Sequence, residues 1–218
     1  MWCIQEIDEE YRSRMYNILD LYGEEFNPLM PVICIDEKPK QLIKDSRKHI
    51  AMMPGKIEKV DYEYIRNGKA NIFIAVEPRG GQRIAQVTKQ RCKKDFALFI
   101  KTVIENYPDA KLIRIVLDNL NTHKEKSIIE AFGNVEAMKL IERIEFHYTP
   151  KHASWLNAAE IEIGVMDTQC TARRIGDINK LDWAVHSWAE MRNNEQRKIN
   201  WKFTKEDADR KLGKHYVI

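Results

Sequence analysis

Two short apolar runs, each ending in an aspartate, most constrain what this chain can fold into. "VICID", residues 32–36, and "KLIRIVLD", residues 111–118, are apolar at nearly every position rather than at alternate ones. Runs of this kind read as buried strands. Polar, turn-forming residues follow both, so the sequence predicts Asp36 and Asp118 at strand ends.

The segments between and around these runs supply an element order. Residues 6–22 show a helical stripe at Ile7, Tyr11, Met15, Ile18 and Leu19, and Gly23 ends it. Residues 59–78, "KVDYEYIRNGKANIFIAVEP", contain two strand-like runs that read as a hairpin around Asn67-Gly68. Gly80-Gly81 marks the next turn, and a third short strand covers Ile84 to Thr88. From Lys93 to Tyr107, Phe96, Phe99, Ile100, Val103 and Ile104 recur at helical spacing until Pro108 stops them. Helical stretches near 124–132 and 134–142 precede a fifth strand, "RIEFHY", and the chain beyond is helical to a last helix over Lys205 to Leu212. This order predicts a ribonuclease H-like α/β fold, a mixed five-stranded sheet flanked by helices with extra C-terminal helices. In that topology the first and fourth strands are neighbours, which brings Asp36 beside Asp118.

A chain of 218 residues can bury a core as one main domain. Its apolar content of 44% and charged content of 32% fit a globular protein, and no apolar run approaches a membrane span. The first twenty residues are acidic where a signal peptide would be basic and then apolar, so a cytoplasmic location is expected. Cys3, Cys34, Cys92 and Cys170 lie far apart with no CxxC pair, which argues for reduced, mostly buried thiols over a disulfide framework or zinc site. The net charge of +3 leaves a polyanionic partner undecided.

A third acid stands out in "TPKHASWLNAAE", residues 149–160. Asn157 and Glu160 have the spacing of a capping box at a helix start, and that structural role needs no catalysis. The same helix could equally lay Glu160 across the sheet edge that holds Asp36 and Asp118. Glu162 is the rival acid, but two positions along a helix turn about 200 degrees, so both cannot face one site. Three converging carboxylates repel one another unless cations sit between them. Magnesium suits such oxygen donors, and a pair of divalent ions can hold and activate a phosphodiester.

The motifs "CIDEKP", "VLDNLNTH" and "FHYTPKHASWLNAAEIEI" occur in that order with the expected elements between them. Together they resemble the catalytic domain of a bacterial insertion-sequence transposase of the mariner superfamily, a DDE transposase. The resemblance implies Asp36, Asp118 and Glu160 as catalytic metal ligands, Mg2+ as cofactor with Mn2+ as substitute, and double-stranded DNA, both transposon ends and target, as partner. It further implies Asn119, His123 and Asn157 as supports behind the ligands, each with a turn-shaping or capping role as the simpler reading. Lys38, Lys151, His152, Trp155, Arg173 and Arg174 would contact DNA, although Trp155 could simply pack at a helix start and the arginine pair could face a helix C-terminus. A homodimer on DNA is expected, and no membrane partner.

Full-length members carry an N-terminal helix-turn-helix region. The resemblance implies residues 1–30 as a helix and linker left from that junction, 31–175 as the catalytic core and 176–218 as a helical extension. Two other functions stand beside DNA cleavage and strand transfer: a non-catalytic, DNA-binding or dimerising regulator of an intact transposase, and a nuclease acting on RNA-containing duplexes.

Overall fold

Strand β1, Val32–Asp45, organises the sheet because it pairs on both edges. The computed structural model describes residues 7–217, so Cys3, and Glu6 where the first helix is predicted to begin, lie outside the described residues. On one side β1 pairs antiparallel with β2, Tyr64–Val76, and β3, Arg83–Thr88, adds antiparallel to β2. On the other side it pairs parallel with β4, Ile113–Leu117, which pairs parallel with β5, Ile144–Tyr148. The order β3-β2-β1-β4-β5 makes the mixed five-stranded sheet of a ribonuclease H-like fold. Around it lie α1 (Glu9–Gly23), α2 (Lys93–Asn106), α3 (Glu125–Ile141), α4 (Ala158–Met166), α5 (Ile178–Asn194) and α6 (Lys205–Leu212).

Both faces are covered, as the two apolar runs require. Side chains alternate across a strand. Ile33 and Ile35 of β1 therefore join Ile113, Ile115 and Leu117 of β4 in a core closed by Phe96, Phe99 and Ile100 of α2. Cys34 and Val116 point the other way, against Ala158 and Ala159 of α4 and Ile18, Leu21 and Tyr22 of α1. Helix α5 packs Leu181, Val185 and Trp188 over Ile72 and Ile74 of β2. Each such fully buried side chain contributes about 1.5–3 kcal/mol. Cys34 and Cys170 are buried free thiols and Cys92 is half-buried.

The hairpin expected at Asn67-Gly68 does not form; β2 runs straight through it. Asn67 and Gly68 instead make a bulge, where the β1–β2 register shifts between Gln41 and Ile43. Gly68 supplies the positive φ of 91°, the Gln41 amide donates to its carbonyl at 2.5 Å, and Asn67 Nδ2 donates to the Gly176 carbonyl at 2.6 Å. Tertiary partners thus turn a hairpin signal into a bulge. The reversal lies in residues 46–63, with Gly55 at φ 76° between the bridged Met53 and Lys56. As a result β1 continues to Asp45, and Asp36 marks where its contact with β4 ends rather than its own end. The two helical stretches expected around residue 133 abut in α3 at Gly133, whose φ of 74° breaks the helix.

Glu162 fastens α4 to the rest of the molecule. Its carboxylate is 1% exposed and accepts from Arg83 Nε at 2.9 Å and Nη2 at 3.1 Å, and from Arg192 Nε at 2.9 Å. Burial alone would raise its pKa, but the hydrogen bonds from the two guanidinium groups outweigh this and hold it below the usual carboxylate range. A depressed folded pKa means stability that is present above the unfolded value and lost as pH falls through the folded one. Glu162→Gln should cost about 3–5 kcal/mol at neutral pH, because it leaves buried guanidinium charge uncompensated. Denaturant unfolding at pH 7 checks this, and the gap from the parent should narrow as the buffer is made acidic.

Candidate active site

The register places two acids side by side. The parallel pairs of β1 and β4 run Val32 with Arg114, Ile33 with Ile115 and Cys34 with Val116. Asp36 and Asp118 each follow the last pair by two residues, so alternation turns both toward the face covered by α4. Glu160 stands in the first turn of α4. Its charge and that of Asp118 act on Asp36.

The start of α4 is held against the sheet by three devices. Ala158 and Ala159 are fully buried and allow close approach to Cys34 and Val116. The Tyr22 hydroxyl donates to the Leu156 carbonyl at 2.9 Å and accepts from the Ala158 N–H at 3.2 Å. Asn157, buried, caps the helix by accepting from the Ala159 N–H at 3.1 Å, while its Nδ2 donates to the Ile35 carbonyl at 2.8 Å. The same Nδ2 lies 3.4 Å from Asp36 Oδ2. The expected capping box is absent: Glu160 does not reach back, and its exposed side chain has no hydrogen bond or ion pair among the described residues. Asn157 alone caps the helix and leaves the Glu160 carboxylate free.

Burial pushes the Asp36 carboxyl up to about 7. The Glu37 N–H, donating to it at 2.7 Å, works against this, and the charges of Glu160, Asp118 and Glu37 reinforce it. Such a carboxylate is stabilised by a nearby cation, and among the described residues no basic side chain bonds to Asp36 or Glu160. The oxygen donors fit a hard divalent ion. Among the described residues no three His, Cys, Asp or Glu side chains are already arranged to hold an ion.

Asp118 is bonded through Oδ1 to Nδ1 of His123, and the other ring nitrogen lies 2.9 Å from Glu37 Oε1. Burial pulls the imidazole pKa down, but the hydrogen bonds and charges of Asp118 and Glu37 carry it up to about 9. Both ring nitrogens of buried His123 thus face a carboxylate, an arrangement that favours the protonated ring. Glu37 is the residue that sequence reasoning missed. Strand alternation was the available signal, since it turns Glu37 away from Asp36 and toward the His123 side.

The remaining site residues divide. Lys151 and His152 line an open groove of about 770 Å3 with Asp118, Asn119, Tyr11 and Arg14, and His152 adopts a positive φ of 62°. Trp155 is 42% exposed and packs edge-on against Phe203 at 5.3 Å. Lys38 pairs with Asp167 at 2.8 Å. Arg173 and Arg174 do not cap α4, which ends at Met166 before a wide turn over Asp167–Thr171. Arg174 instead bonds Asp45 at 3.0 Å and the carbonyls of Tyr62 and Glu63, tying down the β1–β2 arm. Arg173 lines a separate groove with Lys44, Lys48, Lys180 and Trp183.

A ribonuclease H-like sheet with acids two residues past the last parallel pair of its adjacent strands β1 and β4 fits a class of phosphoryl-transfer nuclease. The family model of the DDE superfamily endonucleases matches residues 31–182, and the chain belongs to that family. Its members are DNA endonucleases that use divalent metal ions. The fold is shared with the crystal structure of the catalytic domain of Mos1 mariner transposase, at 11% identity and a TM-score of 0.56, over 89% of this chain and 88% of that one. A pre-cleavage Mos1 transpososome matches at 13% identity and a TM-score of 0.47, over 89% of this chain and 64% of the Mos1 chain. The catalytic core of BIV integrase matches at 16% identity and a TM-score of 0.40, over 76% and 84%. No curated protein matches the sequence.

Asn157→Ala should destabilise the protein by about 2–4 kcal/mol, from a lost cap and an unsatisfied Ile35 carbonyl. Urea unfolding checks this; a loss below about 0.5 kcal/mol would show that the amide does not seat α4.

Proposed function

We propose that this chain is the catalytic domain of a mariner-type transposase, cutting DNA at the ends of a mobile element and joining the freed 3′ hydroxyl to target DNA. The observation that carries this reading is the matched register of Asp36 and Asp118 on adjacent parallel strands, with Glu160 within electrostatic reach. Asp36, Asp118 and Glu160 hold Mg2+, with Mn2+ as substitute. Divalent ions held there would supply activation of the attacking oxygen and stabilisation of the leaving one. Asn157 fixes the backbone at Ile35 and the start of α4, and so sets the spacing of Asp36 and Glu160. His123 orients Asp118 by bonding its Oδ1.

Double-stranded DNA, first the element end and then the target, lies along the groove beside Asp118, with Lys151 and His152 on its phosphates and Asn119 at its edge. Trp155 offers an exposed aromatic surface at the same loop. Lys38 and Arg173 contribute outer phosphate contacts; Arg174 contributes mainly by holding the arm. The protein works as a homodimer on DNA in the cytoplasm. Among the described residues no helix is long and apolar enough to cross a membrane. Residues 31–175 form the catalytic core, flanked by α1 on one side in sequence and by α5 and α6 on the other.

The test is cleavage of duplexes carrying the element's ends in Mg2+. Asp118→Asn should lower the rate on the order of 10³-fold, equivalent to about 4 kcal/mol of lost transition-state stabilisation. Unchanged cleavage by that variant, or stronger cleavage of an RNA–DNA hybrid than of DNA, would overturn the assignment.

A further inference from the structure

Glu37 carries a buried charge to which the chemistry above gives no role. It follows Asp36 directly but points to the opposite face of β1, on the side of Ile33 and Ile35. Its side chain is 2% exposed. A carboxylate so placed is costly unless it is matched, and it is matched chiefly by His123 Nε2 at 2.9 Å. Arg91, half-exposed, lies farther off at 3.5 Å.

His123 is itself held on every side. Its ring stacks on Phe96 with centroids 4.6 Å apart, its carbonyl accepts from the Tyr148 hydroxyl at 2.9 Å, and its N–H donates to the Leu120 carbonyl at 3.0 Å. Its remaining ring nitrogen bonds Asp118 Oδ1. The chain Glu37–His123–Asp118 therefore passes round the end of the sheet, from the α2 face to the α4 face. It connects the strand that carries Asp36 to the loop that begins at Asp118. Without it Asp118, 35% exposed at the start of a turn, has its side-chain rotation free.

We infer that Glu37 is a positioning residue of the metal site: it fixes the His123 ring, and through that ring the orientation of the Asp118 carboxylate. This rests on the reading of Asp118 as a metal ligand. Groups that orient a ligand from behind typically change metal affinity about 10–100-fold when removed. A charge pair that served only to join β1 to the loop would change folding stability and leave metal affinity alone.

The experiment is a Mn2+ titration followed by electron paramagnetic resonance, with thermal unfolding in parallel, on the parent, Glu37→Leu, Glu37→Gln and Asp118→Asn. Glu37→Leu should weaken Mn2+ binding about 10–100-fold. Glu37→Gln, whose amide oxygen still accepts from Nε2–H, should restore most of it. Asp118→Asn losing affinity while Glu37→Leu keeps it would overturn this inference and leave the metal site standing. Asp118→Asn keeping the parent's affinity would overturn the metal site, and this inference with it. Nitrogen-15 spectra of the His123 ring without metal give a second readout, one that does not need a well-bound ion. Glu37→Leu should lose the hydrogen-bonded Nε2–H signal, and an unchanged ring spectrum would overturn the inference whatever the metal does.

Discussion

Parallel pairing of β1 with β4 is the constraint on which the rest depends. Residues far apart in sequence acquire a common register there, and the pairs ending at Cys34 and Val116 dictate where the next acids go. Two residues on, Asp36 and Asp118 emerge on one face at the same height. Burying both faces of these strands requires helices above and below, which explains why the apolar runs are continuous rather than alternating. Everything needed to complete the site is then a matter of seating α4. Tyr22, Asn157 and the alanines Ala158 and Ala159 do so by hydrogen bonds and by leaving room.

Neighbouring acids divide their roles by geometry. Asp36 and Glu37 are adjacent on a strand and therefore face opposite ways; Glu160 and Glu162 are two apart on a helix and do the same. In each pair one carboxylate is left for the site and the other is taken up by the protein's own cations. Glu162 is closed off by Arg83 and Arg192, and Glu37 by His123. The fold thus gathers negative charge at one edge while every fully buried acid beside it has a partner. Asp36 differs: half-buried, it accepts from the Glu37 N–H and the Asn157 amide but pairs with no cation among the described residues, and burial with the charges of Glu160, Asp118 and Glu37 raises it to about 7.

Strand and helix periodicity made most of this arrangement legible. The runs at 32–36 and 111–118, the helix over Lys93–Asn106 and the last helix all follow directly from local pattern. Asn67-Gly68 misled because a hairpin and a bulge need the same positive φ at glycine, and what decides between them is the pairing of Gln41 and Gly176 from distant segments. Side-chain partnerships were the other gap. Alternation in "CIDEKP" turns Glu37 away from Asp36, but nothing local names His123 as its partner, or Asp167, 129 positions on, as the partner of Lys38. The capping-box reading of Glu160 failed for a related reason: Asn157 satisfies the helix start by itself and also binds the strand.

The central claim is that Asp36, Asp118 and Glu160 form one divalent-metal site. Anomalous diffraction at the manganese edge, from crystals soaked in Mn2+ at saturating concentration, tests it most directly. The account predicts a peak bonded to carboxylate oxygens of Asp36 and Asp118 at about 2.0–2.3 Å, with Glu160 turned toward it. Manganese bound elsewhere on the protein while these three carboxylates stay bare would contradict the account.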